Sequence, residues 1–343
     1  MSPLLEVHDL HVEIPVPHGH LQAVRGVSLT VDAGEAIGVV GESGSGKSIT
    51  LRALLGLLPQ PAKLTKGSIV LDGVDVTGLP ERRRTKVLTD AMSMVFQDSL
   101  TALNPVMRIG DQIAEVPRRR LGMSKSAAHA RAVELMDQVG IPEPERRFRA
   151  YPHQLSGGMR QRVCIAIALS AEPRLILADE PTTALDVTIQ AQVLQVIDRL
   201  RLERQLGVVL VSHDLAVISQ TCGRVYVMYA GRVVESGTVR QLLTLARHPY
   251  TFALLRAVPD PDLPVHRLVT IPGQPPDLTA VPVGCSFAPR CAFAEPACRD
   301  QEPVLLPAPG EADHVAACIR LETAPQWPQW AHVDLPEVLE KTS

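Results

Sequence analysis

The chain has 343 residues, of which 45% are hydrophobic and 21% are charged, and its formal net charge is −3. This length predicts two domains, or one domain with a sizeable extension, and the apolar content excludes a disordered chain. The balanced charge argues against nucleic acid as a partner. Because we find neither an apolar run of the ~18 residues that a membrane span needs nor a secretory signal, we expect a cytoplasmic protein whose membrane contact comes through partners.

The apolar pattern predicts a series of strands and helices in chain order. Strands are predicted at residues 4–14, 24–31, 36–40 and 67–71, and a helical period covers residues 111–140. Further along, helices are predicted at 158–170 and 189–205, strands at 175–178 and 208–211, and a hairpin at 224–235. Short apolar strands that alternate with helices predict an α/β fold with a mostly parallel sheet covered on both faces.

The composition changes near residue 258. Of the 29 prolines, 15 lie in residues 259–343, and four of the six cysteines lie there too. We therefore place a domain boundary between Gly237 and Pro259, with an amphipathic helix near residues 240–255 as the connector.

A glycine-rich loop follows the predicted strand at residues 36–40. It contains Gly41, Glu42, Ser43, Gly44, Ser45, Gly46, Lys47 and Ser48, and Ile49 continues into an apolar helix. The glycines let backbone N–H groups surround phosphates, and the helix directs its positive dipole end at the same anion. In this arrangement Lys47 would reach the β- and γ-phosphates, and Ser48 would bind Mg²⁺. A flexible Gly/Ser loop would explain neither the preceding strand nor the Lys-Ser pair.

Two further segments carry suitable chemistry. Asp179 and Glu180 end a predicted buried strand, where Asp179 suits a Mg²⁺ shell and Glu180 could polarise an attacking water. A pair of solvated carboxylates is the alternative. Ser156 could cap the helix that follows it, and Gly157 and Gly158 would leave N–H groups free for a second anion. A Ser-Gly-Gly sequence by itself is common in loops.

These segments, in this order, resemble the nucleotide-binding subunit of an ABC transporter. Three further positions match the same family: Gln97 resembles the Q-loop glutamine, Asp186 in Ala184-Leu185-Asp186 lies in a D-loop-like sequence, and His213 falls at the switch histidine. Taken singly, each of these would be an ordinary polar residue.

The resemblance implies a fold and a mechanism. The fold is a P-loop NTPase domain at residues 1–238, with a mostly parallel core sheet, an antiparallel β subdomain and a helical subdomain at about 98–155. Two subunits pack head to tail, and each ATP lies between the phosphate loop of one chain and the Ser156 helix of the other. Glu180 is then the general base, His213 contacts the γ-phosphate, and Gln97 joins Ser48 and Asp179 around Mg²⁺.

The chain departs from the family pattern at the adenine site. The family usually stacks an aromatic residue on adenine near the end of the first strand, and residues 12–20 contain no Phe, Tyr or Trp. Ile14, His18 or His20 could take that place. Base stacking contributes roughly 1–3 kcal/mol, so adenine affinity could be weaker here.

The last part of the chain resembles the extension of oligopeptide and dipeptide importer ATPases, and it is predicted to span residues 239–343. The resemblance rests on His248-Pro249-Tyr250-Thr251, on 271–276, and on 285–291. Cys285, Cys291, Cys298 and Cys318 lack CxxC spacing, so inert thiols remain an alternative. Some relatives hold a [4Fe–4S] cluster with four cysteines at this spacing, so the resemblance implies that these four cysteines hold a structural cluster. Cys164 and Cys222 lie in apolar sequence and are predicted core residues.

The family implies an ATPase that powers uptake of di- or oligopeptides from the cytoplasmic face of the cell membrane. Its partners would be a second, homologous ATPase subunit, two transmembrane permeases and an extracytoplasmic solute-binding protein. Nickel importers share this architecture and remain an alternative. A soluble ABC ATPase of DNA repair or translation would need a coiled-coil insertion or a second cassette, which the sequence lacks. Asp179, Glu180 and His213 argue against a regulator that binds ATP without turnover.

Overall fold

The computed structural model describes residues 2–17, 19–183, 185–257 and 271–321. Its strands are β1 (Leu5–Val16), β2 (Gly19–Val31), β3 (Ala36–Val40), β4 (Lys63–Leu71), β5 (Val74–Asp75), β6 (Met92–Val95), β7 (Leu175–Asp179), β8 (Gly207–Ser212), β9 (Arg224–Tyr229), β10 (Arg232–Thr238), β11 (Leu306–Ala308) and β12 (Glu311–Ala316). Its helices are α1 (Lys47–Leu54), α2 (Glu81–Ala91), α3 (Ser99–Ala102), α4 (Ile109–Arg120), α5 (Lys125–Gln138), α6 (Pro144–Arg147), α7 (Gly157–Leu169), α8 (Val187–Arg204), α9 (Leu215–Ser219), α10 (Val239–Leu245) and α11 (Pro249–Arg256).

Two sheets organise these elements. One has four strands in the order β2-β1-β4-β5, and the other has eight strands in the order β11-β12-β10-β9-β3-β8-β7-β6. The β1–β2, β1–β4 and β4–β5 pairs of the small sheet are antiparallel. In the large sheet β3 pairs with β8 and β9, and β7 with β6 and β8, in parallel. The predicted α/β class is confirmed.

The central strands of the large sheet are buried on both faces, which is why they read as continuous apolar runs. Val208 and Leu210 of β8 pack into one hydrophobic core with helices α4, α5, α7 and α8. Val209 and Val211 face the second core, beneath the antiparallel sheet. The edge where β3, β7 and β8 end therefore lies between two well-packed layers.

The predicted helix at residues 111–140 is two helices. Helix α4 ends at Arg120 and α5 begins at Lys125, with Ser124 accepting a hydrogen bond from the N–H of Ala127. Gly122 between them has φ of +66°, a conformation that glycine adopts without strain. A continuous apolar period does not reveal such a break, because both helices bury residues in the same core. Between residues 99 and 154 the regular elements are the helices α3 to α6 and a short 3-10 helix, Pro152–Gln154.

The predicted connector helix at 240–255 is also divided in two. Helix α10 ends at Leu245, and Pro249 starts α11. Between them the carboxylate of Glu235 accepts hydrogen bonds from the N–H groups of Arg247 and His248, at 2.6 and 2.8 Å. These hydrogen bonds to a buried carboxylate hold the turn between α10 and α11.

The C-terminal region continues the large sheet. Strand β12 pairs antiparallel with β10, joining Glu235 to Ala316 and Ser236 to Val315, and β11 covers β12 at the edge. His314 Nε2 lies 2.7 Å from the Glu235 carboxylate, and neither residue is exposed. The proline- and cysteine-rich region thus packs on the nucleotide-binding-like part through a shared sheet. Within the described ranges, every helix is too short or too polar to traverse a bilayer.

The buried ring of His248 predicts a pH dependence of stability. Burial lowers the pKa of His248 from 6.5 to about 4, although the charge of Glu235 opposes that shift. The folded protein therefore holds His248 neutral, and its Nδ1 caps helix α11 by accepting the N–H of Tyr250 at 3.1 Å. As pH falls through the unfolded-state pKa, the unfolded chain takes up a proton that the folded chain refuses, so stability decreases.

We expect the free energy of unfolding to fall between about pH 7 and about pH 5 by about 2 kcal/mol more in the wild type than in His248→Asn. Asparagine can still cap the helix but does not titrate. Urea unfolding of both proteins at the two pH values measures the difference. Equal pH dependence in the two proteins would contradict a neutral, buried His248.

Candidate active site

The phosphate-binding-like loop lies where the sequence predicts it, between β3 and α1. Gly46 precedes α1 with φ of +102°, and a Cβ added there would lie 2.6 Å from the carbonyl oxygen of Ala23. A Cβ at Gly41 would lie 2.2 Å from the carbonyl oxygen of Met228. Only glycine fits either position, and the loop closes tightly over the end of the sheet.

The ammonium group of Lys47 is buried within this loop. Its Nζ donates to the carbonyl oxygens of Gly41 and Glu42 at 2.7 and 2.8 Å, and to Ser45 Oγ at 3.4 Å. Burial lowers the pKa of Lys47, while the charges of Glu180, Asp179 and Glu42 oppose that shift. In the described part of the chain Lys47 has no carboxylate partner within ion-pair distance. A buried cation held by neutral oxygens is suited to receiving an anion.

Ser48 and Asp179 meet across the end of the sheet. Ser48 Oγ donates to Asp179 Oδ1 at 2.8 Å, and Asp179 is 3% exposed. Burial raises the pKa of Asp179, and the hydrogen bond from Ser48 opposes that shift. Ser48, Asp179 and Gln97 line one open cavity, in which Arg52 and Asp98 also take part. A hydroxyl, a carboxylate and an amide oxygen are the ligand types that Mg²⁺ prefers.

Three side chains from different parts of the chain contact the carboxylate of Glu180. Its Oε2 lies 3.0 Å from Gln97 Nε2, 2.8 Å from Thr183 Oγ1 and 3.2 Å from His213 Nδ1. Glu180 itself has φ of +44°, and its N–H donates to the carbonyl oxygen of Val211 at 3.0 Å. Although Asp179 and Glu180 are adjacent in sequence, their carboxylates have different hydrogen-bond partners.

The second predicted anion site has a different position in the fold. Ser156 caps α7 and accepts the N–H of Met159 at 3.4 Å, and a Cβ on Gly158 would meet Ile189 of α8 at 2.4 Å. Asp186 caps α8, accepting the N–H of Ile189 at 2.9 Å. The structure therefore places Gly157 and Gly158, which follow Ser156, beside the start of α8. Ala184 lies outside the described residues.

The predicted substitutes for an adenine-stacking ring lie near the tip of the β1–β2 hairpin. Ile14 pairs with Leu21, and His20 pairs with Pro15. His18 lies outside the described residues. The roles of these side chains remain predictions.

The four C-terminal cysteines come together around one cavity. Its walls include Phe287, His248 and the side chains of Cys285, Cys291, Cys298 and Cys318. None of them forms a disulfide. Backbone N–H groups reach the sulfurs: that of Glu295 lies 3.4 Å from Cys298 Sγ, and those of Ala288, Phe293 and Arg320 contact Cys285, Cys291 and Cys318.

The described residues contain no group of three or more His, Cys, Asp or Glu side chains placed to hold a metal ion. Burial raises the pKa of Cys285, Cys291 and Cys318, and the backbone N–H groups oppose that shift. Cys164 and Cys222 are buried in the main core, as predicted, and burial raises the pKa of Cys164 to about 12.

Sequence reasoning missed three residues that contact this site. Thr183 contacts Glu180, and both Tyr250 and Arg290 contact Glu42 in the phosphate loop. Thr183 follows Glu180 closely, so its proximity could have been foreseen. Tyr250 and Arg290 lie more than 200 positions from Glu42, and no local pattern indicates that they approach it.

Comparisons with known proteins agree with this geometry. Residues 24–183 match the family model for ABC transporters, and residues 234–298 match the model for the C-terminal region of oligopeptide/dipeptide transporters. The oligopeptide transport ATP-binding protein OppD of Haemophilus influenzae is 46% identical over 87% of this chain and 92% of its own. The chain belongs to the oligopeptide/dipeptide family of ABC transporter ATP-binding proteins.

Other relatives support the same family. The dipeptide transport ATP-binding protein DppD of Lactococcus lactis is 47% identical over 88% of this chain and 86% of its own. The dimeric ATP-binding cassette MJ0796, solved in a post-hydrolysis state with ADP and Pi, is 30% identical and covers 69% of this chain and 99% of its own, with a TM-score of 0.62. The chain is thus an ABC-type ATPase with the fold of an ATP-binding cassette, and the predicted family is confirmed.

The tight closure of the phosphate loop predicts a sharp effect of Gly46→Ala. The new methyl group would collide with the carbonyl oxygen of Ala23 in a backbone conformation unfavourable to alanine. We expect nucleotide affinity to fall by at least about tenfold, which corresponds to about 1.4 kcal/mol. Titration of a fluorescent ATP analogue measures this change.

Gly78→Ala is the matched control, because a Cβ at Gly78 meets nothing within 4 Å. This variant should bind the analogue like the wild type. Wild-type affinity in Gly46→Ala would show that the closed loop conformation is not needed.

Proposed function

We propose that this chain is the ATP-hydrolysing subunit of an importer of di- or oligopeptides. The observation that carries the proposal is the convergence of Gln97 and His213 on the carboxylate of Glu180, beside Lys47 and the Ser48–Asp179 pair. Peptides are the proposed cargo because the relatives OppD and DppD carry oligopeptide and dipeptide transport in their names. No observation favours nickel as the cargo.

We assign the loop and the neighbouring side chains to phosphate and magnesium binding. Gly41 to Ile49 would surround the triphosphate, with backbone N–H groups and the Lys47 ammonium contacting its oxygens. Ser48, Gln97 and Asp179 would hold Mg²⁺, which neutralises charge on the phosphates. Ser48 already donates to Asp179, so this pair needs only a small adjustment to present two oxygen atoms to one ion.

Glu180 is the proposed general base. Its Oε2 accepts from Gln97 and Thr183, and His213 lies close enough to share a proton with it. A water on this carboxylate could pass a proton to Glu180 as it attacks the γ-phosphate, and His213 would contact the phosphate oxygens. Because these contacts join Gln97 to Glu180, movement of the Gln97 loop would change the alignment of the base.

The proposal includes a second ATPase subunit. Ser156, Gly157, Gly158 and Asp186 lie beside α8 on this chain, so a different copy of the fold would present such a set to the nucleotide bound here. We propose a homologous heterodimer partner, two permeases and an extracytoplasmic solute-binding protein, with this chain peripheral at the cytoplasmic face of the membrane. The dimeric state of the similar cassette MJ0796 supports a paired arrangement.

Glu180→Gln tests the proposed base. The amide keeps the shape of the side chain but cannot take a proton, so hydrolysis should fall by at least about a hundredfold, within the range for loss of a general base. Mg-ATP affinity should stay near that of the wild type. Phosphate release and calorimetric binding by the purified subunit, alone and with its importer, give the two readings.

Two variants bracket this test. Lys47→Ala should lose nucleotide affinity itself, whereas Glu203→Gln changes an exposed carboxylate of α8 and should change neither reading. Undiminished hydrolysis in Glu180→Gln would remove Glu180 from the role of base.

We also propose that Cys285, Cys291, Cys298 and Cys318 ligate a [4Fe–4S] cluster. The support is their shared cavity and the backbone N–H group at each sulfur, because such N–H groups stabilise a thiolate and oppose the rise in thiol pKa that burial causes. Because no group of the described residues is placed to hold a metal ion, the thiols would have to move towards the cluster. The cluster would then cross-link a region rich in proline and poor in regular structure.

Iron and acid-labile sulfide in anaerobically purified protein test this proposal. We expect about four of each per chain in the wild type and in Cys164→Ala, whose thiol lies in the main core. Cys298→Ala should lose most of both. Absence of iron and sulfide from the wild type under strict anaerobiosis would refute the cluster.

A further inference from the structure

Arg290, in the C-terminal region, forms an ion pair with Glu42 of the phosphate loop. The guanidinium of Arg290 donates from Nη1 and Nη2 to the two carboxylate oxygens of Glu42, at 2.6 and 2.9 Å. Glu42 is the second residue of the loop, and 248 positions separate the two residues. This is a bidentate contact, the strongest and most directional geometry for an arginine and a carboxylate.

The contact is built into the fold on both sides. The Arg290 side chain is 3% exposed, and its Nε donates to the carbonyl oxygen of Pro272 at 2.9 Å. The rings of Tyr229 and Phe287 lie 5.8 and 6.0 Å from its guanidinium carbon. The hydrogen bond to Glu42 raises the pKa of Arg290, so the guanidinium stays charged. The Glu42 side chain is 27% exposed, but a pair whose arginine is buried and held in this way is not a mobile surface ion pair.

The backbone of Glu42 is held as well. Its N–H donates to the hydroxyl group of Tyr250 at 2.7 Å, and its carbonyl oxygen accepts from Lys47 Nζ at 2.8 Å. Tyr250 is fully buried and packs against Tyr229 and Phe287. Glu42, whose carbonyl oxygen accepts from Lys47, is therefore held by the side chains of Tyr250 and Arg290. Both belong to the C-terminal region.

Because Glu42 is negatively charged, its ion pair with Arg290 affects the binding of an anionic ligand to the loop. A carboxylate in a loop that receives a triphosphate repels that anion unless a cation neutralises it. The Glu42 carboxylate is close enough to Lys47 to influence its pKa. Arg290 supplies the neutralising charge, and it does so from outside the loop.

We propose that Arg290 is a positioning residue for the nucleotide site: by neutralising and orienting Glu42, it lets the phosphate loop accept a triphosphate. The C-terminal region is then a part of the nucleotide site within the same chain. Arg290 ends a short 3-10 helix, Ala288–Arg290, and Cys291 follows it directly. In this turn the N–H of Ala288 donates to the carbonyl oxygen of Cys285, and the N–H of Cys291 donates to the carbonyl oxygen of Ala288. The shape of the cysteine-lined cavity is thereby linked to the loop.

A double-mutant cycle on the full chain tests this inference, with the dissociation constant of Mg-ATP as the readout. Arg290→Gln leaves the Glu42 charge unpaired beside the phosphates, so affinity should fall by about tenfold. Glu42→Gln in the same chain removes that repulsion, and the double variant should return to within about threefold of the wild type. A merely structural role for Arg290 would leave the double variant as weak as Arg290→Gln.

Glu302→Gln is the matched control. Glu302 also bridges the two parts of the chain, through two hydrogen bonds of 2.8 Å from Arg25 Nη2, but it does not contact the phosphate loop. Its substitution should leave Mg-ATP affinity within about twofold of the wild type. An equal loss in Glu302→Gln and Arg290→Gln would overturn the inference, because it would trace the effect to loosened packing of the C-terminal region.

The inference rests on the proposed binding of ATP at this loop, and the experiment separates the two. If the wild type fails to bind Mg-ATP, the proposed function fails. If the wild type binds and Arg290→Gln binds equally well, only the inference fails. Should Arg290→Gln not fold, Arg290→Lys decides: its single ammonium cannot make the bidentate contact, so affinity should fall about threefold, and unchanged affinity would overturn the inference.

Discussion

The buried ammonium of Lys47 is the feature on which the rest of the site depends. It lies among the carbonyl oxygens of Gly41 and Glu42, and burial lowers its pKa. Burying a cation destabilises the folded protein unless an anion pairs with it. The strand β3, the glycines of the loop and the start of α1 together fix that cation where the carboxyl ends of β7 and β8 also arrive.

The position of Lys47 at this edge of the sheet explains why the proposed catalytic side chains come from distant parts of the chain. Asp179 and Glu180 end or follow β7, His213 follows β8, and Gln97 follows β6, which are neighbouring strands of one sheet. Each parallel strand delivers polar residues to the same edge. Asp179 accepts a hydrogen bond from Ser48, whereas the Glu180 carboxylate contacts Gln97 and His213, and these different partners underlie the proposed roles in magnesium binding and proton transfer.

The cassette core could be predicted from sequence because its information is local. A strand, a loop and a helix start specify Gly41 to Ser48 within a few positions, and the same holds for Asp179 and Glu180. The breaks inside the helical patterns were not predicted, because Gly122 and the turn at Arg247–His248 interrupt helices without interrupting the apolar period. The hydrogen bonds from that turn to the Glu235 carboxylate are tertiary contacts, which a local pattern does not indicate.

The C-terminal region was predicted by resemblance, but its placement was not. The pairing of β12 with β10 and the contact of Arg290 with Glu42 join residues far apart in sequence. No periodicity identifies such partners. The change in composition predicts a domain boundary but not the packing across it: Tyr250 and Phe287 lie in the main core, and β12 continues the large sheet.

The account is tested most directly by the thermal unfolding midpoint of the purified chain with magnesium and increasing ATP, compared with magnesium and AMP. A ligand that binds only the folded protein stabilises it by RT ln(1 + [L]/Kd), so the midpoint rises with the logarithm of the ligand concentration once that concentration exceeds the dissociation constant. We expect the midpoint to keep rising with the logarithm of the ATP concentration and to rise hardly at all with AMP, because the proposed contacts of Lys47 and Ser48 are with the outer phosphates and their Mg²⁺. The same midpoint with ATP and with AMP would contradict it.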